Sequence, residues 1–252
     1  MNNRRNFIKT AALGVIGSSL IPEIVAAAMP ETSKAAGKIR IPDNATILFQ
    51  GDSITDAHRD RKQTSENNAM GLGTGYALGA ASTLLLDNPS KNLKIYNRGI
   101  SGNKVYQLAD RWEEDCLAIK PDILSILVGV NDYWHTLSGK YKGTIKTYRD
   151  DFKALLDRTK NRLPDVKLII GEPYAVNGVK AVTDAWFPAF YEYQKAAREL
   201  AESFGAVFIP YQKVYDTAQK MAPGSYWTPD GVHPSVAGAR LMAEAWLKAV
   251  KG

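Results

Sequence analysis

Residues 46–56 read TILFQGDSITD, an apolar run that breaks at Gly51 into an Asp-Ser pair. A continuously apolar stretch of five residues suits a strand covered on both faces, and the glycine lets the backbone turn sharply into whatever follows. The same rhythm recurs along the chain. Strands are expected at Thr46–Gln50, Leu93–Asn97, Ile123–Val128, Val166–Gly171 and Ala206–Ile209. Helix-period segments fall between and after them, at Tyr76–Leu86, Val105–Ile119, Thr144–Arg162, Tyr191–Phe204 and Val236–Val250. Alternation of this kind implies one α/β domain, a three-layer α/β/α sandwich around a five-stranded, mostly parallel sheet. In such sheets ligands gather outside the carboxyl ends of the strands, so residues that carry chemistry should each fall just after one.

Four segments meet that requirement or stand at the start of the last helix. After the first strand comes Gly51-Asp52-Ser53-Ile54, where a serine at a tight strand-to-helix turn has its hydroxyl held at the sheet edge. An Asp-Ser pair there is also an ordinary helix cap. After the second strand comes Gly99-Ile100-Ser101-Gly102, a loop that opens a helix, whose backbone N–H groups can face an oxyanion. A tight turn needing a positive φ explains the same glycines. After the third strand comes Gly129-Val130-Asn131-Asp132, with an asparagine able to aim its amide at that oxyanion or simply to cap a helix. Last, Asp230-Gly231-Val232-His233-Pro234 precedes the final helix. The histidine can act as a base on the serine, and the carboxylate three residues earlier can fix its tautomer.

Each block is weak alone. Together, in this order and over nearly the whole chain after residue 43, they resemble the blocks of the SGNH hydrolases, also called GDSL esterases or lipases, with Ile54 standing where the family name has leucine. That resemblance implies a flavodoxin-like fold and a cofactor-independent Ser-His-Asp mechanism with Ser53, His233 and Asp230. It also implies an oxyanion hole from Ser53, Gly102 and Asn131. The G-x-S-x-G pattern of the other large esterase fold is absent around Ser53.

The first 28 residues read differently. Arg4-Arg5-Asn6-Phe7-Ile8-Lys9 leads into a weakly apolar segment and then Ala26-Ala27-Ala28, the pattern of a bacterial export signal. The paired arginines resemble the twin-arginine motif, which predicts export by that machinery, a periplasmic address and cleavage near Ala28. The apolar stretch falls short of a membrane span. An amphipathic docking helix is the alternative, disfavoured because Pro22 and Pro30 bracket no periodic apolar face. Residues 29–43 are expected as a linker and residues 44–252 as the hydrolase domain.

Of the 252 residues, 45% are hydrophobic and 23% charged, an ordinary globular composition. The net charge of +6 becomes +4 without residues 1–28. Scattered charges and the lack of a basic stripe give no reason to expect nucleic acid or an anionic membrane surface as a partner. The lone Cys116 cannot form an internal disulfide and reads as a small core residue.

The expected activity is an exported serine esterase acting on a small-molecule or glycan ester, an O-acetylated carbohydrate first of all. Aromatic residues beyond the strand ends motivate that choice, since their faces suit sugar rings, although at least half of them are expected simply to pack the loops. Trp134, His135, Tyr174 and Trp227, with Asp52 in the turn, are the candidate substrate-side residues. A lysophospholipase or short-chain lipolytic esterase is the alternative on the same fold. Asp52, Asp56, His58 and Asp60 crowd one loop and raise a metal-dependent phosphoesterase; no metal is expected in the esterase reading. A non-catalytic carbohydrate-binding module is the remaining class.

Overall fold

A computed structural model describes residues 20–29 and 38–250. The paired arginines and residues 30–37 lie outside the described residues. Five strands form one sheet: β1 (Thr46–Gly51), β2 (Lys94–Asn97), β3 (Ile123–Leu127), β4 (Lys167–Gly171) and β5 (Val207–Ile209). Their order is β2-β1-β3-β4-β5, and all four pairings are parallel. The expected strands agree with these to within one residue at each end. Agreement is close because Ile47, Leu48 and Phe49 are all fully buried, and burial on both faces is what makes a continuous apolar run.

The helices are α1 (Leu20–Ala28), α2 (Ser53–Asp56), α3 (Ala69–Leu72), α4 (Tyr76–Asp87), α5 (Val105–Asp110), α6 (Val130–Leu137), α7 (Ile145–Arg162), α8 (Ala189–Ser203), α9 (Tyr211–Ala218), α10 (Gly224–Trp227) and α11 (Val236–Val250). One layer joins α4, α9 and α11; the other joins α5, α7 and α8. Trp246 of α11 lies against Phe49 of β1 at 4.8 Å between ring centres, and its indole N–H donates to Ser125 Oγ of β3 at 3.0 Å. In the other layer the Trp112 indole donates to Thr159 Oγ1 of α7 at 3.0 Å. A buried indole N–H needs such a partner, and both tryptophans have one.

The single helix expected over Val105–Ile119 is divided. It leaves α-geometry after Asp110 and passes through a π-helical turn at Glu113–Leu117, with Cys116 buried inside. Burial pushes the Cys116 thiol well above its ordinary range, so it stays a neutral core group.

Residues 20–29 form more structure than their prolines suggest. Pro22 stands in the first turn of α1, where a missing N–H costs nothing. Ile24, Val25 and Ala28 are buried, and α1 lies against α9 and α11. Part of the segment expected as a linker is likewise built into the domain: Met29, Ile39 and Ile41 are buried, and Ile39 N–H donates to Ala249 O at 3.2 Å. Among the described residues no helix is long and apolar enough to cross a membrane.

Candidate active site

From β1 the sheet runs one way to β2 and the other way to β3, so the carboxyl ends of β1 and β3 flank a topological switch point. Ser53 follows β1 and is the first residue of α2. Gly51 has φ +155°, and a Cβ there would lie 2.2 Å from Leu127 O, so only glycine lets β1 pass this close to β3 while turning. Asp52 caps the helix through Oδ1, which accepts the Ile54 N–H at 3.0 Å. The capping reading and the nucleophile reading of this turn are therefore compatible, because Asp52 does the first and presents Ser53 for the second.

Ser53 Oγ lies 2.8 Å from His233 Nε2, across 180 residues of sequence. His233 Nδ1 lies 2.7 Å from Asp230 Oδ2. An ionised carboxylate can only accept, so the Nδ1 hydrogen points to Asp230 and Nε2 is left to accept the serine hydroxyl. Asp230 Oδ1 also accepts the N–H groups of Val232 at 2.9 Å and His233 at 2.7 Å. Burial raises the Asp230 pKa, but these bonds outweigh it and hold the carboxyl below its ordinary range. Asp230 is thus charged at neutral pH, as an acceptor for the imidazole must be.

The 230–234 loop is held from beneath by the segment after β4. The Tyr174 hydroxyl donates to Val232 O at 2.8 Å, Val176 N–H to Gly231 O at 2.8 Å, and Ala181 N–H to Asp230 O at 3.1 Å. Sequence reasoning missed this supporting role of Tyr174. A tyrosine just past a strand looks the same whether its ring faces a ligand or a loop carbonyl.

The glycine loop comes next, with Ser101 in the same cavity wall as Ser53 and His233, and Asn131 is bonded to that loop. Gly102 has φ +82°, and among the described residues nothing lies within 4 Å of where its Cβ would be, so the side a side chain would occupy is open. Asn131 Nδ2 donates one bond to Asn103 O at 3.3 Å, which ties its amide to that loop. Among the described residues the backbone N–H groups of Ser53 and Gly102 have no protein acceptor. The first N–H of a helix has none within the helix, and such free donors are what an oxyanion requires.

Beside Ser53 and His233 opens a cavity of about 450 Å³. Its wall includes Ile54, Ala57, Ser101, Pro234 and Val236. It includes none of the expected substrate-side residues, and three of those need correction. Asp52 and Tyr174 are fully buried, and Trp227 is 5% exposed. Tyr174 stacks on Tyr215 at 4.4 Å, and the Trp227 indole donates to Ala218 O at 3.1 Å, so the rings fill the α9–α11 layer. Aromatic rings this large lose most apolar surface by packing inward, and that tendency prevailed over exposure. Trp134 and His135 are half-buried on α6, with Trp134 against Trp186 at 5.6 Å. Burial, then the positive charges of Lys104 and Lys140, lowers the His135 pKa.

Asp52 and Asp132 are buried carboxyls beneath the site. Burial pushes each up to about 7, opposed chiefly by one backbone N–H apiece, from Ile54 and from Val105. Among the described residues their second oxygens have no hydrogen-bond partner. Asp56, in contrast, is paired: burial raises its pKa, but Arg61 at 2.6 Å and the Ser101 N–H and O–H, each at 2.8 Å, bring it below the ordinary range. Asp56 is therefore engaged with Arg61 and the glycine loop. Among the described residues no three His, Cys, Asp or Glu side chains gather where they could hold a metal ion, so the acidic loop of the phosphoesterase alternative does not converge.

Comparison with known proteins agrees with this architecture. The family described as GDSL-like Lipase/Acylhydrolase matches residues 49–241. An acetylxylan esterase of Geobacillus stearothermophilus is 33% identical over 214 residues, which span 84% of this chain and 96% of that protein. A solved structure described as a GDSL-like lipase, from Parabacteroides merdae, is 51% identical with a TM-score of 0.83 and covers 84% of this chain and 98% of its own. The crystal structure of the Geobacillus stearothermophilus esterase gives a TM-score of 0.76 at 31% identity, over 85% of this chain and 97% of that one. Further structures of that esterase are described as catalytic mutants, with alanine in place of a serine, a histidine and an aspartate; the last two are three positions apart.

Proposed function

The chain belongs to the GDSL-like lipase/acylhydrolase family and is a carboxylic ester hydrolase, and from that premise we propose that it is an exported serine esterase that removes acetyl groups from an O-acetylated carbohydrate. One observation carries the mechanism: Ser53 Oγ, His233 and Asp230 are linked by bonds of 2.8 and 2.7 Å at the mouth of a cavity. As Ser53 Oγ attacks the ester carbonyl, His233 Nε2 takes its proton, and Asp230 stabilises the imidazolium that forms. The carbonyl oxygen becomes an oxyanion facing the N–H groups of Ser53 and Gly102 and the Asn131 amide. Collapse breaks the bond to the alcohol oxygen, which takes the proton from His233 and leaves an acetyl ester on Ser53. Water gives a proton to His233 as it attacks that ester, and the bond to Ser53 Oγ then breaks, the serine taking the proton back from His233 as acetate leaves.

The substrate class rests on the relative that acts on acetylxylan, because Tyr174 and Trp227, two of the three large aromatic residues first named on the substrate side, are buried. Export rests on residues 1–28 as sequence. Cleavage near Ala28 would remove the helix that lies on α9 and α11, so protein recovered from the periplasm should begin near Met29. An intact Met1 by mass spectrometry would count against export with cleavage.

The decisive assay compares p-nitrophenyl esters from acetyl to palmitoyl with acetylated xylan, pectin and sialic acid, using Ser53→Ala as the blank. Steep preference for acetyl and release of acetate from one glycan are expected. Preference for chains beyond about eight carbons would support the lipolytic alternative, and unchanged turnover by Ser53→Ala would sink the serine mechanism.

A further inference from the structure

The glycine loop and the nucleophile turn come from different strands, yet the oxyanion donors they carry must keep a fixed spacing. The backbone bond from Ile100 N–H to Gly51 O ties them at one point, and the guanidinium of Arg111 reaches both. Arg111 follows the last turn of α5, and its side chain returns beneath the loop that opens that helix. Its Nη1 donates to Arg98 O at 2.8 Å and its Nε to Asn103 Oδ1 at 2.9 Å, gripping the loop on both sides of Gly99–Gly102. Its Nη2 reaches Gly51 O at 3.4 Å, two residues before Ser53. Nη1 also meets Asp115 Oδ2 at 2.8 Å, which anchors the head group.

We infer that Arg111 is a positioning residue of the oxyanion hole, a staple that sets the distance between the Ser53 N–H, the Gly102 N–H and the Asn131 amide. This rests on the serine esterase reading above. The link to Asn131 runs through one residue: Arg111 holds the side chain of Asn103, and the backbone oxygen of Asn103 accepts from Asn131 Nδ2. The geometry needs arginine. A planar fork with five N–H groups can serve acceptors in three directions at once, whereas a lysine ammonium reaching the same place has a compact head and no fork.

Loss of the staple should displace the loop without unfolding it, because other bonds remain. Ile100 N–H still donates to Gly51 O at 3.0 Å, Arg59 Nε to Gly99 O at 2.8 Å, and Ser101 to Asp56. A donor displaced by about 1 Å costs on the order of 10²-fold in rate, and a lost oxyanion donor on the order of 10²–10³-fold. A partial displacement of several donors therefore predicts a loss of about 10–100-fold.

The test uses the full-length enzyme as Arg111→Ala and Arg111→Lys, with p-nitrophenyl acetate as substrate and an alkylboronic acid as a tetrahedral mimic. Expected are a 10–100-fold fall in kcat with KM within about threefold, and a matching loss of boronate affinity. Asn131→Ala should lose less in the Arg111→Ala background than alone, since both act on one structure. Added guanidinium should restore part of the rate of Arg111→Ala. If Arg111→Ala does not fold, Arg111→Lys decides. A folded variant with kcat within threefold of the parent overturns the inference, as does full boronate affinity beside a lowered kcat, or strictly multiplicative losses with Asn131→Ala. These failures leave Ser53→Ala inactive and the esterase reading intact; an active Ser53→Ala would remove both.

Discussion

Replacing Asp230 tests whether the His233 tautomer is set by structure. In Asp230→Ala the imidazolium formed during attack loses a charged hydrogen bond of 2.7 Å. Such a bond is worth about 1.5–3 kcal/mol, and at about 1.4 kcal/mol per tenfold this predicts a fall in kcat of roughly 10–150-fold. The aspartate side chain is 32% exposed, so water can reach the Val232 and His233 N–H groups it abandons, and the loss stays near that range. Asp230→Asn should be worse. Its Oδ1 is held in place by two backbone donors, at 2.9 and 2.7 Å, so the amide cannot flip without setting its own N–H₂ against them. The Asn Nδ2 therefore faces His233 Nδ1, and donor meets donor. The ring must move its hydrogen to Nε2, where it can no longer accept from Ser53, and a further loss of about tenfold or more follows. Steady-state kinetics with p-nitrophenyl acetate, beside thermal melts to verify folding, would measure both. Either variant within tenfold of the parent would refute the role of Asp230, and an Asn variant more active than the Ala variant would refute the tautomer argument.

Two further outcomes are expected. Asp132 is pushed up to about 7 by burial, against about 3.9 in an unfolded chain, so between those values the folded state holds a proton that the unfolded state does not. Stability therefore falls as pH rises through that window, by on the order of a few kcal/mol, with the full penalty above it. Asp132→Asn keeps an acceptor for the Val105 N–H and cannot ionise, so it should melt higher than the parent at pH 8 and much the same at pH 4; a pH-independent difference would contradict this. Gly102→Ala should cost about 1–2 kcal/mol of stability through its positive φ, with no clash, yet lower kcat at least tenfold by tilting an oxyanion donor. An unchanged kcat would mean that the Gly102 N–H does not face the reaction.

The sequence by itself determined the sheet and the order of the blocks along it. Strands buried on both faces must be continuously apolar, a local signal that Ile47, Leu48 and Phe49 state without help from the rest of the chain. Ser53, Gly102 and Asn131 were placed after successive strands by the same reading, and the parallel arrangement does the rest. Less was legible where the signal is not local. The helix α6 follows Gly129, and α9 follows Pro210; both run for only eight residues, too short for a periodic face to declare itself. Pro22 and Pro30 argued against a helix at residues 20–28, yet Pro22 occupies the one turn that tolerates it.

Only the tertiary structure decided what the aromatic residues do and what the charged ones hold. Tyr174 and Trp227 have the same composition whether they face a sugar or a loop, and the choice was made by the α9–α11 layer closing over them. The approach of Ser53 to His233, and the reach of Arg111 to both Gly51 and the glycine loop, are likewise relations between segments distant in the chain. Hydrogen bonds extend about 3 Å, so no spacing along a sequence can state them; they exist once the sheet has set its strand ends side by side.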